Sequence, residues 1–221
     1  MKIIAKKLIV YLILSVIYPT IVYILMVPAI FSNPIYMIYL LMAYTGSLAD
    51  TLIRPVTEDR NESKKFLLLL LLMFFLAPFF LVMAYNENLL LIAPFVGWWD
   101  SNIVSYAGIV AYLVGTFIVI TSRVQLGSFG TGRLVVQENH ELFTGGVYKY
   151  IRNPMYTGGL ISGVGCFLVF RSLITLLMVT IIYFLMFKGR ILEEEKQLEE
   201  KFGEKYAEYC KRSWRLIPGV Y

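Results

Sequence analysis

The chain has 221 residues, 58% of them hydrophobic and only 16% charged, against roughly 25% charged in an ordinary soluble domain. With a mean hydropathy of +0.70, that balance excludes a soluble globular domain and points to an integral membrane protein. The net charge of +5 matters less than where the charges fall. No nucleic-acid partner is expected. The two cysteines do not suggest a disulfide framework, because Cys166 lies in an apolar run and Cys210 in a charged tail, which predicts opposite sides of the hydrocarbon boundary.

A helix needs about 20 apolar residues to cross a bilayer. Residues 8–30 meet that length after Lys6-Lys7. The run exceeds the roughly 7–15 residues of a cleavable signal and has no small-residue cleavage site. It is therefore expected to be a first span, with Pro19 and Pro28 as kink positions. Ser32-Asn33-Pro34 predicts a turn, and residues 35–53 a second span ending at Arg54-Pro55. A polar run over 57–65 leads to a third span over 66–85. Residues 86–102 contain Pro94, Gly97 and Trp98-Trp99. They are too short to cross and carry interface-seeking tryptophans, so an interfacial or re-entrant segment is expected. Residues 103–121 form a fourth span.

The character then changes. Residues 122–153 are polar, glycine-rich and basic, and two apolar arms follow over 158–170 and 173–187, split by Arg171-Ser172. Each arm is shorter than a normal span, so a crossing hairpin must run its ends past the apolar limits. From Lys188 the chain is strongly charged. Leu192, Leu198, Phe202, Tyr206 and Tyr209 recur at helical spacing, which predicts an amphipathic helix interrupted at Gly203. All Lys and Arg except Arg171 fall on one side if the chain crosses six times. The positive-inside rule then places both termini in the cytoplasm. The expected fold is all-α and polytopic: about six transmembrane helices, the last two a C-terminal hairpin, then an amphipathic cytosolic tail helix. Residues 1–121 read as a transmembrane anchor region, and residues 122–221 as the part that carries chemistry.

The chemistry-bearing stretches are Gly146-x-Tyr148-x-x-x-Arg152-Asn153-Pro154-x-Tyr156-x-Gly158, Glu194-Glu195-x-x-Leu198, and Phe202-Gly203-x-x-Tyr206-x-x-Tyr209. Val135-Val136-Gln137 and His140-Glu141-Leu142 precede them. In this order and spacing, over about the last 90 residues, the chain resembles the isoprenylcysteine carboxyl methyltransferase and phospholipid methyltransferase superfamily. The first four spans carry no such resemblance. The resemblance implies a helical membrane fold and S-adenosylmethionine as cofactor, held near the cytosolic face, with a lipophilic acceptor arriving from the bilayer. Carried over by position, it places cofactor contacts on Gln137, His140, Glu141, Leu142, Phe143, Tyr148, Asn153, Pro154, Met155, Tyr156 and Glu194. It places Arg190 on the acceptor side. The superfamily usually has Arg-His-Pro where this chain has Arg152-Asn153-Pro154. Asparagine keeps polar reach but does not titrate near neutrality as histidine does.

The residue types agree with such chemistry while leaving blander readings open. Methyl transfer from a sulfonium is mostly a matter of positioning and electrostatics. Glu194 can accept from ribose hydroxyls or an ammonium, although runs such as Glu193-Glu194-Glu195 more often cover a solvated helix face. Arg190 and Glu194 share a helix face, so Arg190 is either an anion holder, half of an ion pair, or a membrane-edge anchor. Asn153-Pro154 predicts a helix start whose N–H groups can meet a carboxylate. Tyr148 and Tyr156 can stack on an adenine or simply sit at the interface. His140 is the single histidine and assembles no metal site with two distant cysteines, so no metal is expected. Gly127-Ser-Phe-Gly-Thr-Gly132 is not a phosphate loop: it follows a membrane span, and no Lys-Ser/Thr follows its glycines. Asp50 and Arg54 are four apart, which predicts an interfacial pair. No catalytic residue stands out.

These readings lead to methylation of a lipophilic acceptor, foremost the carboxylate of an isoprenylated cysteine. In that case Arg190 holds the carboxylate; if the acceptor is phosphatidylethanolamine, Arg190 suits its phosphate. An NADPH-dependent, sterol-reductase-like enzyme is suggested by the tail Arg215-x-Ile217-Pro218. A non-enzymatic membrane protein is the remaining alternative, and the oligomeric state is not legible.

Overall fold

The computed structural model describes residues 2–53, 64–92, 99–127 and 142–219. Among the described residues eight α-helices carry the fold: α1 Lys2–Tyr11, α2 Tyr18–Met26, α3 Pro34–Ile53, α4 Lys64–Glu87, α5 Asn102–Leu126, α6 Pro154–Val169, α7 Leu173–Phe202 and α8 Glu204–Lys211. No strand occurs among the described residues beyond one isolated parallel bridge, Ile151 with Trp214. Four helical stretches are long and apolar enough to cross a bilayer: Leu8–Met26, Pro34–Ile53, Asn102–Leu126 and Leu173–Phe202. Phe75–Leu90 and Pro154–Val169 are shorter apolar helices. At about 1.5 Å per residue, the 16 residues of α6 cover less than a hydrocarbon core of about 30 Å.

The first expected span differs at its end. A π-helical turn, Leu12–Ile17, separates α1 from α2 and precedes Pro19, where the missing proline N–H breaks the regular ladder. Helix ends at Met26, and Pro28 opens a short 3₁₀ turn, Pro28–Ser32, instead of continuing the span to residue 30. Asn33 then caps α3: its side-chain oxygen accepts from the Ile35 N–H at 2.9 Å. Residues 54–63, 93–98 and 128–141 lie outside the described residues. Arg54 and residues 93–98 of the expected re-entrant segment are therefore among those not described, and the start of that segment continues α4 through a π-helical turn, Asn88–Ile92. Asp50 does have a described partner. It is the Arg123 Nε at 2.6 Å, on α5; the expected pair with Arg54 falls on a residue outside the described ones.

The most extensive helix contact is α5 against α6, and glycine makes it possible. Gly108 and Gly115 on α5 face Gly165 and Gly158 on α6. A Cβ on Gly158 would lie 2.6 Å from the Gly115 carbonyl, and one on Gly165 would lie 2.7 Å from the Gly108 carbonyl. The two backbones touch, as small-residue stripes permit in membrane helices.

The tip between α6 and α7 is a tight turn with Arg171 at φ 55°. The arm that follows is longer than its apolar run: α7 is 30 residues long and ends within the charged tail, at Phe202. Its first turn is capped from another helix. The Glu87 carboxylate accepts from Ser172 Oγ at 2.5 Å, the Ile174 N–H at 2.6 Å, and Thr175 N and Oγ1 at 2.8 and 2.6 Å. An anion at a helix start satisfies orphan N–H groups and complements the helix dipole. Arg171 pairs with Asp100 at 2.9 Å, and its carbonyl accepts from Trp99 Nε1 at 2.9 Å. These contacts fix the tip against α4 and the start of α5.

The charged tail is helical as expected and is interrupted at Gly203, which sits at φ 51°. Its buried stripe differs from the expected one: Leu198 and Phe202 are half-buried. Ile191, Glu195, Tyr206 and Tyr209 are buried, whereas Leu192 is 45% exposed. The inward face is turned one residue from the purely apolar reading, because it must present the Glu195 carboxylate to the chain it packs on.

Candidate active site

Four segments meet where α6 enters the apolar zone: residues 142–153, the first turn of α6, the Arg190 to Glu195 stretch of α7, and the tail after α8. Gly146 sets the approach. It adopts φ 54°, which L side chains avoid, and a Cβ there would collide with the Gln125 side chain. That side chain accepts from the Val147 N–H at 3.0 Å. The short 3₁₀ turn Gly146–Lys149 buries Tyr148. The Phe143 ring meets Tyr148 edge-on at 5.6 Å, and Tyr209 Oη donates to the Tyr148 carbonyl at 2.6 Å. Burial pushes both phenols well above their usual range, so they stay protonated donors at physiological pH.

Glu195 is the hub of the assembly. Its carboxylate accepts from Arg152 Nε at 3.3 Å, Asn153 Nδ2 at 3.0 Å and Arg215 Nε at 2.8 Å. Asn153 also donates to the Arg215 carbonyl at 3.1 Å. Arg152 reaches the Cys210 carbonyl at 3.1 Å and the Ser213 carbonyl. Backbone bonds of 2.8 Å run from the Trp214 N–H to the Tyr150 carbonyl and from the Arg152 N–H to the Trp214 carbonyl. Thr157 Oγ1 donates to the Leu216 carbonyl at 2.8 Å. The tail is thus tied across the start of α6 by a carboxylate whose three donors come from two separate segments.

One residue away, Glu194 builds a second constellation. Tyr156 Oη donates to Glu194 Oε1 at 2.7 Å, and Arg190 Nε lies 3.3 Å from both oxygens. The Arg190 side chain is 2% exposed and that of Glu194 23%. The carboxylate therefore looks outward from a buried cation. Phe187 continues this line: its ring lies 5.1 Å from Tyr156 and 5.8 Å from Tyr183. Tyr183 borders a cavity of about 300 Å³ inside the bundle, walled also by Tyr39, Tyr112, Cys166 and Phe167. An aromatic lane thus joins an intramembrane cavity to Arg190 and Glu194.

Of the residues expected from the sequence, the structure brings Tyr156, Arg190 and Glu194 into direct contact. It puts Phe143 against Tyr148, with Leu142 beside them in the chain. Asn153 is buried with its amide directed at Glu195, and Pro154 is buried as the first residue of α6, followed by Met155. The N–H groups of Tyr156 and Thr157 close on the Asn153 carbonyl at 3.1 and 3.2 Å, so this helix start directs part of its donor set inward. Gln137, His140 and Glu141 lie outside the described residues. Sequence reasoning quoted Arg152, Glu195 and Arg215 without giving them work, and it missed Phe187 and Tyr183. The available signal was an acid beside the chosen acid, with arginines on both flanking segments.

Comparison with known proteins follows the same lines. The family model described as phospholipid methyltransferase matches residues 103–205. The "Protein-S-isoprenylcysteine O-methyltransferase B" of Arabidopsis thaliana is 31% identical over 125 residues, covering 56% of this chain and 61% of the relative. The "Probable protein-S-isoprenylcysteine O-methyltransferase" of Oryza sativa subsp. indica is 31% identical over 147 residues, covering 66% of this chain and 75% of the relative. Among solved structures, a eukaryotic intramembrane Ras methyltransferase, isoprenylcysteine carboxyl methyltransferase, superposes with a TM-score of 0.62. The superposition spans 99% of this chain and 74% of that one at 21% identity, and so supports the fold.

Proposed function

This chain belongs to the protein-S-isoprenylcysteine O-methyltransferase family and is a membrane-embedded methyltransferase, and we propose that it carries a methyl group from S-adenosylmethionine to the carboxylate of an isoprenylated cysteine. The observation that carries this reading is the Tyr156–Arg190–Glu194 constellation at the end of an aromatic lane leading from an intramembrane cavity. An acceptor of this kind has two parts, a long apolar chain and an anion. The cavity and lane suit the first, and the buried Arg190 guanidinium suits the second. On the same reading the chain crosses the bilayer six times with both termini in the cytoplasm.

The residues present fit the cofactor. Its adenosine and amino-acid ends need acceptors and flat apolar faces. Glu194 offers a partly exposed carboxylate, and Phe143 and Tyr148 offer an aromatic pair. Gln137, His140, Glu141, Leu142 and the Asn153-to-Tyr156 turn complete the proposed contact set. When bound, S-adenosylmethionine supplies an electrophilic methyl group on a sulfonium.

The chain's own work is then orientation. Arg190 holds the acceptor carboxylate, and Tyr156 and Glu194 keep the guanidinium in place. So held, one carboxylate oxygen would face the electrophilic methyl group that the cofactor would supply. A carboxylate nucleophile has no proton to lose, so this reaction needs no general base, in keeping with a site in which no base stands out. The Glu195 hub closes the tail over the start of α6 and helps keep water from the reacting groups.

The direct test is calorimetric binding of S-adenosylmethionine to the detergent-solubilised chain, beside Glu194→Ala and with NADPH as comparison ligand. Wild-type binding is expected, weakened on the order of tenfold or more in the variant, as for loss of a charged hydrogen bond. Binding of NADPH with no binding of S-adenosylmethionine would overturn the reading.

A further inference from the structure

A second pocket lies outside the constellation just described. It has a volume of about 550 Å³ and is lined by Arg152, Lys211, Arg212, Trp214 and Arg215, with Cys210 and Ser213 completing the wall. Four of these side chains are cationic, and no acidic side chain lines it. Lys211 and Arg212 are exposed, and the Arg212 guanidinium lies 6.0 Å from the Tyr209 ring. Exposed aromatic and apolar groups flank the cations: Tyr150 at 62%, Trp214 at 49% and Ile217 at 45%.

The height of this pocket follows from the backbone. Trp214 pairs with Tyr150 and Arg152, and Pro154, two residues on, opens the apolar helix α6. Residues 150–153 and the tail bonded to them therefore lie where the chain enters the bilayer. Tryptophan and tyrosine favour that level, and clustered Lys and Arg there meet lipid phosphates.

We propose that this pocket is a binding site for the phosphate of an anionic lipid headgroup, taken from the leaflet in which the tail lies. Guanidinium groups match phosphate oxygens in geometry and charge, while Trp214 and Ile217 seat against the acyl–headgroup boundary. The site is coupled to the one described above. Arg152 and Arg215 both bond Glu195, whose neighbour Glu194 belongs to the Tyr156–Arg190 constellation. A headgroup bound here braces the tail against the start of α6.

The test is native mass spectrometry of the full chain in detergent, titrated with short-chain phosphatidylglycerol or short-chain phosphatidylcholine. Inorganic phosphate and S-adenosylmethionine serve as competitors. Phosphatidylglycerol is expected to be retained on the order of tenfold more tightly than phosphatidylcholine, and the double change Lys211→Ala, Arg212→Ala to abolish that preference. Both residues are exposed and stand outside the Glu195 hub, so the variant is expected to fold; an unchanged melting temperature checks that. Equal retention of the two lipids, or a preference that survives the double change in the folded variant, would overturn the proposal. Displacement by inorganic phosphate at matching concentration would replace it with a soluble-anion site. Displacement by S-adenosylmethionine would make the pocket part of the cofactor site.

Discussion

Replacing Glu195 by alanine is expected to damage this protein more than replacing Glu194. The Glu195 side chain is 9% exposed and accepts from Arg152, Asn153 and Arg215. Removing it withdraws the carboxylate that two guanidiniums and an amide share, leaving them with neutral carbonyl acceptors such as those of Cys210, Ser213 and Arg215. Breaking a buried ion pair from one side costs about 3–5 kcal/mol, because the remaining charge is left without compensation. The melting temperature in detergent is expected to fall, and residues 211–217 to lose hydrogen-exchange protection, since their ties to the start of α6 run through Arg152 and Arg215. Glu195→Gln keeps an acceptor and the side-chain shape, so its loss is expected to be smaller. A wild-type melting curve and a protected tail in Glu195→Ala would show that the tail is held by its backbone bonds alone.

The second large effect is expected at the α5–α6 contact. In Gly165→Leu the new Cβ would stand 2.7 Å from the Gly108 carbonyl. The obstruction is backbone, so it cannot rotate aside. Forcing extra methylenes into a packed contact costs about 1–3 kcal/mol where side chains can shift, and here the helices themselves must separate. A marked drop in thermal stability is expected, together with loss of cofactor binding, because α6 carries the Asn153-to-Tyr156 turn at its start. Gly189→Ala is the matched control. It lies in α7 with no atom within 4 Å of an added Cβ, and alanine is the better helix former by about 1 kcal/mol. The control is expected to melt at or above the wild-type temperature. Equal behaviour of the two variants would mean that the helices are not in backbone contact.

Much of this architecture was legible in the chain. Hydropathy located each apolar helix among the described residues, because a stretch without charge has few folded options in lipid. The interruption at Gly203 and the turn at Arg171 followed from residue types that end helices. Tyr156, Arg190 and Glu194 were named by the resemblance, and the structure brings them into contact. The remainder depended on long-range pairing. Asp50 pairs with Arg123, a partner from another helix that no local spacing announces. Glu195 looked like the less interesting of two adjacent acids because its three donors lie 20 to 43 residues distant. The cavity wall draws on α2, α3, α4, α5, α6 and α7 together, and no local pattern announces such a volume. Asn153, a departure from the superfamily's usual histidine, shows why local reading stops short. Its amide donates to Glu195 and to the Arg215 carbonyl, partners 42 and 62 residues away that its place in the motif does not announce.

The most direct measurement is methyl transfer itself. The chain would be reconstituted in vesicles with S-adenosylmethionine labelled in its methyl group. A farnesylated cysteine with a free carboxylate would be offered, and phosphatidylethanolamine would be present in the same membranes. The account predicts label in a base-labile methyl ester of the cysteine, with Arg190→Ala reducing that incorporation by at least tenfold, as loss of a charged contact implies. Label in the amine of the phospholipid, or ester formation unaffected by Arg190→Ala, would contradict it.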